Sequence, residues 1–255
     1  MIGAIIGDIV GSRLENNNIK SKNFELFTEE SRFTDDTVLT IAIADCVLNG
    51  KDYEEEVRNY GNAFLDAGYG KTFKKWLAGI IQGPYNSWGN GSAMRVSPIG
   101  FALETEAEIL EEAKKSADIT HNHEEGVKGA QAIAMVVFMA RKGKSKAEIK
   151  EYIETKFGYN LDRTIDEIRP TYEFDVSCQG SVPESIIAFL ESEDFEDAIR
   201  TAISIGGDSD TIASMTGAIA EAFYKNIPQE LIDRVNEYLP DSFKKIVEAF
   251  YKKHQ

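Results

Sequence analysis

Apolar residues recur at helical spacing along most of this chain and almost nowhere at strand spacing. Between Ser242 and Lys252, the residues Phe243, Ile246, Val247, Phe250 and Tyr251 fall on one helical stripe. Phe195, Ala198, Ile199, Ala202 and Ile203 repeat the pattern. A Ser145-x-x-Glu148 capping box precedes Ile149, Tyr152, Ile153 and Phe157, and Thr105-x-x-Glu108 precedes Ile109, Leu110 and Ala113. Val127 to Arg141 is apolar nearly all round, which predicts a helix buried among others. Gly50, Gly143 and Gly158 stand where helices should stop. The best strand candidate is Thr171 to Val176, and one short strand does not make a sheet. No Pro-, Gly- or Ser-rich linker divides the chain, so residues 1–255 are expected to form a single compact all-α domain.

Two acidic clusters interrupt this pattern, Thr34-Asp35-Asp36-Thr37 and Asp208-Ser209-Asp210-Thr211, each directly ahead of a long apolar stretch. Residues one or two apart do not share a face of a formed helix. Such carboxylates converge only where the backbone is still entering its first turn, which is where both clusters lie. Thr and Asp are also good helix caps, so either cluster alone reads as a cap. A cap needs one side chain, however, and here the acids are doubled. If the clusters meet, four carboxylates and neighbouring hydroxyls form an all-oxygen set suited to hard divalent cations. That chemistry predicts a metal-assisted hydrolase.

Composition narrows the partners. Lys and Arg number 28 against 43 Asp and Glu, a net charge of −15, which argues against general nucleic-acid binding. A small anionic ligand stays compatible, because metals and helix N-termini make local positive pockets. Apolar runs fall short of a membrane span. The first eight residues carry no basic leader or cleavage site and are expected to be a buried first segment rather than a signal peptide. Cys46 and Cys178 are too few to staple a fold and predict buried free thiols in the cytoplasm. A monomer is the expected state. Gln82 to Pro98 is rich in Gly, Pro, Asn and Ser, and reads either as a turn-rich connection or as a phosphate cradle ahead of a helix.

Five blocks in order carry a further signal: Gly7 to Glu15, Phe33 to Thr37, Gly89 to Arg95, Thr120 to His123, and Gly206 to Ala213. With these blocks the chain resembles the ADP-ribosylglycohydrolase family along almost its whole length. The resemblance implies an all-α orthogonal helical bundle holding two Mg2+ or Mn2+ ions. By residue match, Thr34, Asp35 and Asp36 would bind metal from one side, and Asp208, Asp210 and Thr211 from the other. Glu15, Asp36 and Asp208 would be catalytic, with Glu15 gating water or substrate near the ribose. Asn86, Ser87, Trp88, Gly89 and Asn90 would line the diphosphate and ribose pocket, and His121 would contact the diphosphate. Trp88 reads equally as a packing residue, and His123 receives no role. Two departures stand out: Ser209 where relatives often have Thr, and Asn86 where some have Gly. The implied substrate is an ADP-ribosylated protein or a small ADP-ribose derivative, with ADP-ribosyl-arginine narrowly preferred. Two rival readings use the same features, a binuclear-metal phosphoesterase and a non-catalytic ADP-ribose binder.

Overall fold

The computed structural model describes residues 1–254, and among these the regular structure is helical. The first third carries α1 (Ile2–Gly11), α2 (Asp35–Asn49), α3 (Tyr53–Ala63) and α4 (Lys71–Leu77). The middle carries α5 (Gly91–Met94), α6 (Ser97–Ala102), α7 (Glu106–Asp118), α8 (Glu124–Arg141), α9 (Lys146–Phe157) and α10 (Ile165–Ile168). The last third carries α11 (Cys178–Glu191), α12 (Phe195–Ser204), α13 (Ser209–Tyr224), α14 (Gln229–Tyr238) and α15 (Asp241–His254).

The boundaries follow local chemistry. Thr105 and Ser145 accept hydrogen bonds from the Glu108 and Glu148 amides, and Ser145 with Glu148 completes a reciprocal box. Gly50 and Gly158 close α2 and α9 in the left-handed conformation. Most of α8 is buried, as its apolar circumference requires. One contiguous apolar core runs through the helices, from α1 to Phe243 and Phe250 of α15. Cys46 and Cys178 are buried free thiols. No described helix is long and apolar enough to cross a membrane.

Two expectations need correction. Thr171 to Val176 forms no strand; the stretch Tyr172 to Val176 lacks regular structure, and an isolated antiparallel bridge joins Gly89 to Ser177 beside it. Phe174 and Val176 line a cavity while Asp175 accepts from the Ser177 amide, so its alternation reflects two environments rather than a sheet. Gln82 to Pro98 is not irregular throughout either. The chain enters α5 at Gly91 and α6 at Ser97, with Pro98 in the first turn where its missing N–H is harmless.

Helix α1 makes its most extensive contact with α13, and three glycines allow it. A Cβ on Gly3 would lie 2.2 Å from the Gly217 oxygen, and one on Gly7 2.1 Å from the Ala213 oxygen. One on Gly11 would lie 2.4 Å from the Asp210 Cα. The two backbones therefore touch along three successive turns, and the start of α13 is seated against the end of α1.

Candidate metal centre and substrate cavity

That seating brings the acidic clusters together. Asp8 is the one charged residue of α1 and is fully buried. Its Oδ2 accepts from the Thr34 amide (2.9 Å), the Thr37 amide (3.1 Å) and Thr37 Oγ1 (2.5 Å). Its Oδ1 accepts from Thr34 Oγ1 at 2.7 Å. Both carboxylate oxygens are engaged, Oδ2 by three donors and Oδ1 by one. Asp8 thus ties the N-terminus of α2 to α1 and aims the cluster that follows.

The first cluster is both cap and candidate ligand set. Thr34 is the N-cap of α2 and accepts from the Asp36 amide, with Asp35 and Asp36 in the first turn. The second cluster is not a side-chain cap. Asp208 occupies the N-cap position of α13 without a capping bond, and its Oδ2 instead accepts from Asn90 Nδ2 at 2.7 Å. Gly206 and Gly207 lead in with φ of 76° and 70°, a conformation that glycine adopts freely. Thr211 Oγ1 then reaches Asp36 Oδ2 at 3.2 Å.

Two groups of three carboxylates result. Asp8, Asp36 and Asp210 place one oxygen each within 4.8 Å of one another, as do Glu15, Asp208 and Asp210. Asp210 belongs to both. Asp35 lies outside both groups, though it lines the same cavity.

The cavity measures about 460 Å³. Glu15, Thr34, Asp36, Asp208, Asp210 and Thr211 line one part of it, and Ser87, Gly89, Asn90 and His121 another. Asn86 and Trp88 do not line it. Asn86 is exposed at φ 55° with its amide on Asn122 Oδ1, and Trp88 packs edge-on against His123 at 5.7 Å. The loop between them is pinned: the Asn90 amide donates to Val176 O and the Cys178 amide to Trp88 O.

The model of one protein family, ADP-ribosylglycohydrolase, matches residues 1–255. The chain belongs to the ADP-ribosylglycohydrolase family. Among its relatives is mouse ADP-ribosylhydrolase ARH3, 27% identical over 98% of this chain and 86% of the mouse protein. ADP-ribosylarginine hydrolase Tri1 of Pseudomonas putida (strain GB-1) is 27% identical over 92% of this chain and 72% of its own length. A solved structure, "ADP-ribosylglycohydrolase-related protein complex", superposes with a TM-score of 0.76 at 22% identity, covering 100% of this chain and 96% of that one. This last likeness establishes the fold, and membership of the family makes the protein a glycosidic-bond hydrolase.

The electrostatics of this ADP-ribosylglycohydrolase centre suit a cation. Burial first, then the neighbouring carboxylates, pushes Asp36 and Asp210 well above the usual carboxylate range. Asp35 is pushed up to about 8 by burial and then Asp8, while burial raises Asp8 and Asp208. Half-buried Glu15 is raised by burial and by Asp208, against the pull of Arg32. Asp36 Oδ1 is buried without a hydrogen-bond partner. Like charges packed this closely, with an unused oxygen among them, are costly unless a cation or protons neutralise them. His121 is buried in the wall and held neutral, by burial first and then by Arg95.

Three contributors to the site have roles that depend on distant partners. Asp8 carried a signal, since a lone carboxylate inside an apolar helix must find partners. Thr37 reads in the sequence as part of a cluster, and its hold on Asp8 shows only in the fold. Arg32 lines the cavity and acts electrostatically on Glu15, and it lies just outside the Phe33 to Thr37 block.

Proposed function

We propose that this protein hydrolyses the glycosidic bond between C1″ of ADP-ribose and its acceptor, in a reaction that requires divalent metal. The observation that carries the reading is the pair of carboxylate triads sharing Asp210, which lines one cavity with Glu15, Asp36 and Asp208. Thr34, Asp35, Asp36, Asp208, Asp210 and Thr211 would hold two Mg2+ or Mn2+ ions, which when bound supply positive charge and lower the pKa of water. Asp8, held by four hydrogen bonds from Thr34 and Thr37, keeps the start of α2 in register with the rest of the triad.

Glu15 differs from the aspartates in being half-buried, with a single 3.4 Å hydrogen bond from Asn16. Its raised affinity for protons suits a group that takes one from the attacking water and returns it to the leaving acceptor. Oxygen from water bonds to C1″, the C1″–acceptor bond breaks, and the proton ends on the acceptor. Asn90 orients Asp208, and Ser87 with Gly89 forms the wall along which the diphosphate lies. The favoured acceptor is arginine, supported by the likeness to ADP-ribosylarginine hydrolase Tri1.

A substrate panel tests this reading. ADP-ribosyl-arginine, ADP-ribosyl-serine and O-acetyl-ADP-ribose are each incubated with Mg2+, Mn2+ or chelator, and free ADP-ribose is measured. Metal-dependent release, fastest from the arginine linkage, is expected. Release of AMP instead would favour a phosphoesterase, and equal rates under chelation would remove the metals from the mechanism.

A further inference from the structure

Behind the cavity wall, a hydrogen-bond chain decides which nitrogen of His121 carries the proton. Arg95 is wholly buried, and its Nη2 donates to the Ser116 carbonyl at 2.7 Å and to Thr120 Oγ1 at 3.0 Å. A guanidinium has donors only, so the Thr120 hydroxyl must accept. The same hydroxyl, itself fully buried, lies 2.7 Å from His121 Nδ1. Its proton can go to Nδ1, or it can go unpaired in a place sealed from water. The second arrangement forfeits a hydrogen bond and strands a buried donor. We propose that Arg95 and Thr120 are positioning residues that fix His121 as its Nε2–H tautomer, so that the ring offers the cavity a hydrogen-bond donor for an oxygen of the ligand and not a base.

The surroundings of Nε2 fit that role. A Cβ on Gly91 would lie 3.1 Å from Nε2 and one on Gly89 3.5 Å, so both glycines keep the space beside it open. Nε2 makes no hydrogen bond among the described residues, while Nδ1 is engaged from behind. Tyr85 flanks the ring with centroids 6.0 Å apart. Arg95 places a positive charge behind the ring, which disfavours imidazolium and favours negative charge in front. The donor therefore persists through neutral pH without the ring titrating. Thr120 and Arg95 act on the ligand only through His121.

The proposal rests on the reading that this cavity takes ADP-ribose, and the experiment separates the two. Long-range 1H–15N correlation on the 15N-labelled, ligand-free full chain reports the tautomer directly; His121→Gln assigns its signals among the three histidines. Protonated Nε2 with a hydrogen-bonded, unprotonated Nδ1 is expected, and protonated Nδ1 overturns the proposal. Titration with ADP-ribose supplies the second readout. Thr120→Val should weaken binding about tenfold, the scale of one buried hydrogen bond, while Thr120→Ser restores it to within about twofold. Equal affinity in Thr120→Val and wild type also overturns the assignment. Failure of the wild type to bind ADP-ribose counts against the function proposed above, and the ligand-free spectrum still decides the tautomer.

Discussion

Thr211 Oγ1 donates to Asp36 Oδ2 over 3.2 Å, joining residues 175 positions apart in the chain. Each belongs to the first turn of its own helix, so the bond aligns the N-termini of α2 and α13 face to face. Partial positive charge at both ends favours the carboxylates gathered there. The remaining Asp36 oxygen has no partner, which leaves it available to a cation.

Removing Asp36 should therefore spare the fold and disable the site. Asp36→Ala relieves like-charge crowding, so the chelated variant should melt no lower than wild type. Its hydrolysis in Mg2+ or Mn2+ should fall by about a hundredfold or more, the scale of losing one preorganised group at a reacting centre. Calorimetric metal titration, thermal melting and ADP-ribose release check the three parts. Wild-type activity with unaltered metal binding would rule Asp36 out as a ligand.

Gly11→Ala tests how the fold sets the site. Its new Cβ would meet the Asp210 Cα at 2.4 Å, a contact with backbone rather than with a flexible side-chain tip. Overpacking of this kind costs about 1–3 kcal/mol, and relief requires α13 to move away from α1. Asp210 would move with it, weakening metal binding together with stability. Denaturant melts and metal titration of the same sample read both, and a destabilised variant with unchanged metal affinity would separate packing from site geometry.

Much of this architecture was legible because helices declare themselves locally. Caps at Thr105 and Ser145, stops at Gly50 and Gly158, and the stripes of α12 and α15 depend on neighbours within one or two turns. The role of Asp8 depends on threonines 26 and 29 residues downstream, and that of Asn90 on Asp208, 118 residues away. No local pattern encodes such pairings. The glycines of α1 were likewise plain in the sequence, at every fourth position from Gly3 to Gly11. Their meaning needed a second helix close enough to make a side chain impossible. The family resemblance implies Asn86 and Trp88 in the pocket, but Asn86 is exposed with φ of 55° and Trp88 takes the packing role, against His123.

Ser87→Trp should close the cavity that Asn86 and Trp88 leave untouched. Ser87 lines the cavity of about 460 Å³, and its Oγ accepts from the Gly89 amide at 3.1 Å. An indole there would fill space that the ligand needs, while the protein should stay folded because the residue is only partly buried. ADP-ribose affinity should drop by more than about tenfold, one tight contact exceeding 1.4 kcal/mol. Trp88→Ala serves as the comparison and should change affinity by less than about twofold. The reverse ranking in a titration would place the ligand on the outer face of the loop.

Crowded carboxylates also fix the sign of a pH effect. Asp35 has an ordinary value of 3.8 and is pushed up to about 8, mainly by burial and then by Asp8. Between these values the folded chain holds a proton that the unfolded chain has released, so stability falls as pH rises. The stabilisation from this group is complete below the lower value and lost as pH climbs through the upper one. Asp36 and Asp210 shift in the same direction and add to it. In chelator, the melting temperature of the wild type should therefore decline from about pH 5 to about pH 8 more steeply than that of Asp35→Asn, which cannot release the proton. Mg2+ or Mn2+ should flatten the wild-type slope, because bound cations favour the ionised carboxylates and stabilise only the folded chain. Melts of both proteins across that window, with and without metal, decide the matter. Parallel slopes in chelator would mean that Asp35 does not carry a raised proton affinity in the folded protein.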